Sequence, residues 1–152
     1  MMYGYMRMAL EKAREAGQKG EIPVGAVIIL NGTAVSSRGN ECEQRLDPTA
    51  HAEMLAIRDA CEKLGKKSLD ECELYVTLEP CPMCAGAIVS SGVSKLVFGS
   101  YDPEYGACGS AWNIPSHPYA GRMEVYGGIM ETECTDVLRD FFSDMRQKKK
   151  TD

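Results

Sequence analysis

The sequence has no apolar run long enough to cross a bilayer. Its longest, Val24–Leu30, is broken by Gly25, whereas a spanning helix needs about 20 apolar residues. The first ten residues, Met1–Leu10, include Arg7 but no apolar segment leading to a small-residue cleavage site. No signal peptide and no membrane partner are therefore expected, and the expected location is cytoplasmic. There is also no internal repeat, no low-complexity tract and no Pro-, Gly- or Ser-rich linker. That argues against fibrous and disordered classes and leaves one compact domain over residues 1–152. A surplus of positive charge is missing too. Seventeen Lys and Arg stand against 22 Asp and Glu, a net charge of −5, and contact with phosphates needs cations. An RNA partner would have to be met by a local basic patch.

What is present begins with cysteine. Seven of them (Cys42, Cys61, Cys72, Cys81, Cys84, Cys108, Cys134) in a chain without a secretion signal point to reduced thiols used for metal binding or burial, not to a disulfide framework. At 44% hydrophobic residues a real core is available.

Periodicity supplies the elements. Tyr5, Met6, Ala9, Leu10, Ala13 and Ala16 fall at helical spacing, and Gly17 and Gly20 end that helix. Ile22–Leu30 reads as a mostly buried strand. Asn31-Gly32 predicts a type I′ turn returning into a second strand over Thr33–Ser37. A polar loop follows. Asp47-Pro48-Thr49 introduces a helix from about Ala50 to Leu64, closed by Gly65. Glu73–Leu78 is the next strand, Cys81–Ser91 a helix ended by Gly92, and Lys95–Gly99 a further strand. Residues 101–121 form a long loop, of the kind that in compact domains usually carries function. Met123–Tyr126 is a last strand. Glu131–Gln147 is a final helix with Val137, Leu138, Phe141 and Met145 on one face. This order implies an α/β fold, a three-layer α/β/α sandwich around a mixed five-stranded sheet.

The chemistry sits in His51-Ala52-Glu53 and Pro80-Cys81-Pro82-Met83-Cys84. Two thiols at i and i+3 opening a helix lie on one side of it, and the helix N-terminus favours thiolate. One imidazole from a second helix start makes three protein ligands for Zn2+. Three ligands leave a position for water, the pattern of a catalytic zinc. On an ideal helix Glu53 lies about 200° around the axis from His51, so both cannot be ligands of one ion. Glu53 is read instead as a proton carrier, reached through helix distortion or placement at the helix start. A structural zinc would need a fourth ligand, for which Cys42, Cys72, Cys108 and His117 are available. A redox Cys-x-x-Cys pair would not call for the His-x-Glu element.

His-x-Glu followed by Pro-Cys-x-x-Cys is the signature of the zinc deaminases. Pro23–Val27, Asp47–Glu53 and Cys84–Ala87 are similar to segments of guanine and cytosine deaminases as well. Thr77-Leu78-Glu79-Pro80, Gly106-Ala107-Cys108-Gly109-Ser110 and Phe141-Phe142 resemble more narrowly the bacterial tRNA-specific adenosine deaminases of the cytidine deaminase superfamily. The resemblance implies a cytidine-deaminase-like fold and one zinc per subunit held by His51, Cys81 and Cys84. It implies Glu53 as the catalytic proton shuttle, and Asn40, Ala52, Arg122, Phe142 and Lys148 in substrate binding. The implied reaction converts adenosine to inosine at the wobble position of a tRNA anticodon loop, carried out by a homodimer. Where that family has an Asn-His-Arg segment before the last strand, this chain reads Ala120-Gly121-Arg122. That departure and the acidic charge keep a deaminase of free guanine or cytosine, or of a nucleoside, as the alternative. The basic run Arg139, Arg146, Lys148, Lys149 and Lys150 is read either as a phosphate patch or as a solvated tail that complements the dipole of the last helix. Tyr101, Tyr105, Trp112 and Tyr119 are expected to stack on splayed bases or to pack between subunits.

Overall fold

Alternation along the three central strands decides the layering. The computed structural model describes residues 1–151. In β1 (Gly25–Leu30), Ala26 and Ile28 face one side of the sheet and Val27 and Ile29 the other. β3 (Cys72–Leu78) divides Leu74 and Val76 from Tyr75, and β4 (Lys95–Ser100) divides Leu96 and Phe98 from Val97. Both faces are apolar, so each strand reads as a continuous hydrophobic run and each face needs its own helical cover. α1 (Met2–Gln18) and α5 (Glu131–Thr151) cover the Val27–Tyr75–Val97 face. α3 (Ala52–Leu64) and α4 (Pro82–Ser91) cover the other. The expected three-layer sandwich is therefore observed.

The five strands run in the order β2-β1-β3-β4-β5, with β2 spanning Thr33–Gly39 and β5 Glu124–Tyr126. β1 pairs antiparallel with β2 and β3, while β3–β4 and β4–β5 are parallel, so the sheet is mixed as expected. Positive φ at both Asn31 and Gly32 gives the type I′ hairpin. α1 lies so close to that hairpin that a Cβ on Gly25 would overlap the Ala9 carbonyl, and one on Gly39 would fall 2.7 Å from the Lys12 carbonyl.

Several boundaries differ from the sequence reading for local reasons. β1 starts at Gly25 and not at Ile22, because Pro23 has no N–H and the Val24 amide turns back onto the Ile22 carbonyl at 2.9 Å. Gly17 lies inside α1, which continues to Gln18 before Gly20 turns at φ 85°. The polar loop after β2 contains a short helix, α2 (Cys42–Arg45). α5 runs four residues past Gln147, through a lysine run that suits a helix C-terminus. On that helix Val137 and Leu138 pack into the two cores, whereas Phe142 and Met145 are exposed.

Candidate active site and metal centre

α3 and α4 start beside each other on one face of the sheet, and each begins at a candidate ligand. His51 precedes α3 with extended backbone (φ −71°, ψ 152°), and Cys81 precedes α4 in the same way (φ −73°, ψ 172°), with Pro82 suited to the first helical position. Cys84 lies on the first turn of α4. Because His51 is outside the helix, the 200° separation does not apply, and Glu53 enters the same site from the first turn of α3. Of the two routes left open by the sequence, placement at the helix start is the one taken.

The donor atoms of His51, Cys81 and Cys84 all lie within 4.8 Å of one another. His51 Nδ1 is 3.7 Å from Cys81 Sγ and 3.4 Å from Cys84 Sγ. A tetrahedral zinc at ordinary Zn–N and Zn–S lengths separates such atoms by about 3.6 Å. The arrangement and the nitrogen–sulfur donor set both fit zinc. Among the described residues no other group of His, Cys, Asp or Glu is so placed. His117 Nδ1 accepts from the Tyr119 amide at 3.1 Å, and burial pushes the Cys108 thiol up to about 12. The set is thus three ligands, which leaves a coordination position for a reacting molecule.

Electrostatics separate the roles. Hydrogen bonds donated by Cys84 and by His51 hold Cys81 down at about 4, in the thiolate range. Cys84 is pushed up, first because it donates to Cys81 and then by burial; a bound cation supplies what a second thiolate needs. Glu53 is buried, and desolvation raises its carboxyl to about 7, opposed by its own amide and by His51. A carboxyl poised there can take up and release a proton at neutral pH.

These groups open into a cavity of about 570 Å³, whose wall includes His51, Glu53, Cys81, Asn40, Asp102, Tyr105, Phe141, Phe142 and Met145. Asn40 holds the machinery as well as facing it. Its Oδ1 accepts from the Ala52 amide at 2.8 Å, and its Nδ2 donates to the Ile22 carbonyl at 3.0 Å. Ala52 itself is fully buried in the core, with its amide engaged by Asn40. Phe142 is on the cavity wall; Arg122 and Lys148 are not. Of the loop aromatics only Tyr105 lines the cavity, Tyr101 packs edge-on against Phe98, and Trp112 and Tyr119 are exposed outside it.

Sequence reasoning missed two buried carboxylates on the wall. Glu21 accepts from the Glu43 and Gln44 amides at 3.0 and 2.9 Å and so anchors α2. Glu79 ties down the loop after β4. Neither has a spacing signal, because their partners are mostly main-chain groups and all are distant in sequence. For Glu79 the available hint was its place beside Pro80-Cys81.

The family model for the cytidine and deoxycytidylate deaminase zinc-binding region matches residues 3–100. The tRNA-specific adenosine deaminase of Bacillus subtilis (strain 168) is 46% identical over 96% of this chain and 91% of its own length. That of Aquifex aeolicus (strain VF5) is 42% identical over 93% of this chain and 94% of its own. Among solved structures, one from studies of A-to-I editing by tRNA:A34 deaminases at the wobble position of transfer RNA superposes with a TM-score of 0.85. It is 43% identical and covers 89% of this chain and 99% of that one. A guanine deaminase from Nitrosomonas europaea superposes at 0.78 with 26% identity, covering 91% of this chain and 83% of that one.

Proposed function

The chain belongs to the zinc-binding cytidine and deoxycytidylate deaminase family, and from that premise we infer that it hydrolyses the 6-amino group of an adenosine at the wobble position of a tRNA anticodon loop. Inosine and ammonia are the products. The observation that carries the chemistry is a three-ligand His51–Cys81–Cys84 set with the buried Glu53 beside it, opening into one cavity. The observation that selects the substrate is identity of 42–46% to tRNA adenosine deaminases over nearly the whole chain, whereas a guanine deaminase from Bacillus subtilis is 40% identical but covers only 64% of this chain, and one from Nitrosomonas europaea covers 91% at 26%.

Zinc held by these residues supplies Lewis-acid activation of water. Glu53 accepts a proton from the attacking water and delivers it to N1 of the adenine as the water oxygen bonds to C6. It then moves the second proton to the departing amine, the C6–N bond breaks, and ammonia leaves. Asn40 and Phe142 contact the nucleotide from the cavity wall, while Arg122 and Lys148, outside it, meet the RNA backbone. A base must leave its stack to enter such a cavity, which favours a loop nucleotide. The reading extends to a cytoplasmic homodimer. Among the described residues no helix is long and apolar enough to cross a membrane, and Trp112 and Tyr119, 51% and 74% exposed, offer a second copy an aromatic surface.

The test is ammonia release from an anticodon stem-loop, adenosine, guanine, cytosine and cytidine, with light scattering to give the mass of the active species. Turnover of the stem-loop, lost by at least about a thousandfold in Glu53→Ala with zinc retained, is expected. Rapid turnover of guanine with an inert stem-loop would replace this reading with the free-base alternative, which the −5 net charge and the altered 120–122 loop favour.

A further inference from the structure

The two sequence segments that point most narrowly to the tRNA enzymes, Thr77–Pro80 and Gly106–Ser110, are joined in space by one side chain. Glu79 is 2% exposed. Its Oε1 accepts from the Asp102 amide at 3.1 Å and from the Ser110 hydroxyl; its Oε2 accepts from the amides of Cys108 at 3.1 Å and Ser110 at 3.0 Å. The backbone reinforces the junction, with the Glu79 amide on the Ser100 carbonyl and the Ala107 amide on the Pro80 carbonyl, both at 2.8 Å. Gly106 is required there, since a Cβ would overlap the Glu79 carboxylate and the Asp102 carbonyl. The loop so held has no strand of its own. It brings Asp102 and Tyr105 to the cavity wall, and Asp102 Oδ1 accepts from the amides of Glu104 and Tyr105 at 3.1 Å.

We propose that Glu79 is a positioning residue: it latches the loop over residues 101–113 to the turn that carries Cys81 and so sets the substrate-facing wall formed by Asp102 and Tyr105. Chemistry requires Glu at this position. All four contacts are donors, and a carboxylate is an acceptor at both oxygens. A glutamine with its oxygen toward the Cys108 and Ser110 amides turns its NH2 toward Ser110 Oγ, which can accept, and toward the Asp102 amide, which cannot. Glu79→Gln thus releases the loop at Asp102.

The inference rests on the proposed deamination, and its test separates the two. For Glu79→Gln the expected result is a KM for the anticodon stem-loop raised about tenfold, with a smaller change in kcat and unchanged zinc content. Gly106→Ala, which opens the same junction sterically and keeps the charge, gives the same pattern. Ser110→Ala removes one donor of four and shifts KM in the same direction by about threefold, so the idea stays testable if the first variant folds poorly. The only tryptophan reports on the loop without turnover, because the Trp112 amide donates to the Gly106 carbonyl at 3.1 Å and its carbonyl accepts from Gly109 at 2.8 Å. Faster depolarisation of Trp112 fluorescence in Glu79→Gln and Gly106→Ala is expected. An unchanged KM, a loss confined to kcat, or an unchanged Trp112 signal would overturn the latch. If the wild type leaves the stem-loop inert, the functional reading falls, and Trp112 alone decides whether the latch exists.

Discussion

Glu53 is buried where a carboxylate is costly, and its carboxyl is raised to about 7 by desolvation. Raising the folded-state value above the unfolded one of about 4.5 means that the folded state binds the proton more tightly. The resulting stabilisation is complete below the unfolded value and disappears as pH rises through the folded one. In protein stripped of zinc by a chelator, the wild type should therefore lose about 2–3 kcal/mol relative to Glu53→Gln between pH 5 and pH 8. Urea unfolding of both proteins across that range checks this. Parallel stability curves would mean that Glu53 is well solvated. The residues at the reacting centre were legible in the sequence because metal chemistry dictates their types and intervals: His51, Glu53, Cys81 and Cys84 form a pattern with few other uses. Glu21 and Glu79 were not, because a carboxylate that satisfies distant main-chain amides looks in sequence like any surface acid.

The helices and strands themselves were legible to within a few residues wherever apolar periodicity ended at glycine. Gly65 and Gly92 close α3 and α4 in left-handed conformation as expected. Misreadings fell where a distant side chain decides a local structure. α2 is four residues long and takes its N-terminal partner, Glu21, from before β1. The start of α3 depends in the same way on Asn40, twelve residues upstream, whose side chain accepts the Ala52 amide. That bond places His51 and Glu53 on either side of a fixed helix end, so Asn40 supports the metal centre. Asn40→Ala should cost about 1 kcal/mol of stability as a lost cap and should speed zinc loss to a chelating dye several-fold. Wild-type zinc retention with impaired turnover would confine Asn40 to substrate contact.

An acidic chain that handles RNA has to place its cations with care, and α5 carries the densest run of them. The side of α5 that bears Phe141, Phe142 and Met145 closes the cavity, and the same helix ends in Lys148, Lys149 and Lys150. Those lysines follow Met145 by three to five residues, about 5–8 Å along the axis, comparable to the spacing between successive phosphates. On the proposed reading, the flanking phosphates of a loop nucleotide whose base occupies the cavity are met by this run, in a chain whose net charge is −5. Each phosphate neutralised on single-stranded nucleic acid contributes about −0.7 to the slope of log affinity against log salt. Replacing Lys148, Lys149 and Lys150 together with Gln should weaken binding of the anticodon stem-loop and flatten that slope by up to about 2, leaving kcat at saturation nearly unchanged. Fluorescence anisotropy of a labelled stem-loop over a range of potassium chloride concentrations measures both quantities. An unaltered slope would assign the lysines to the dipole of α5 alone and move the phosphate contacts to Arg122 and other cations outside this run.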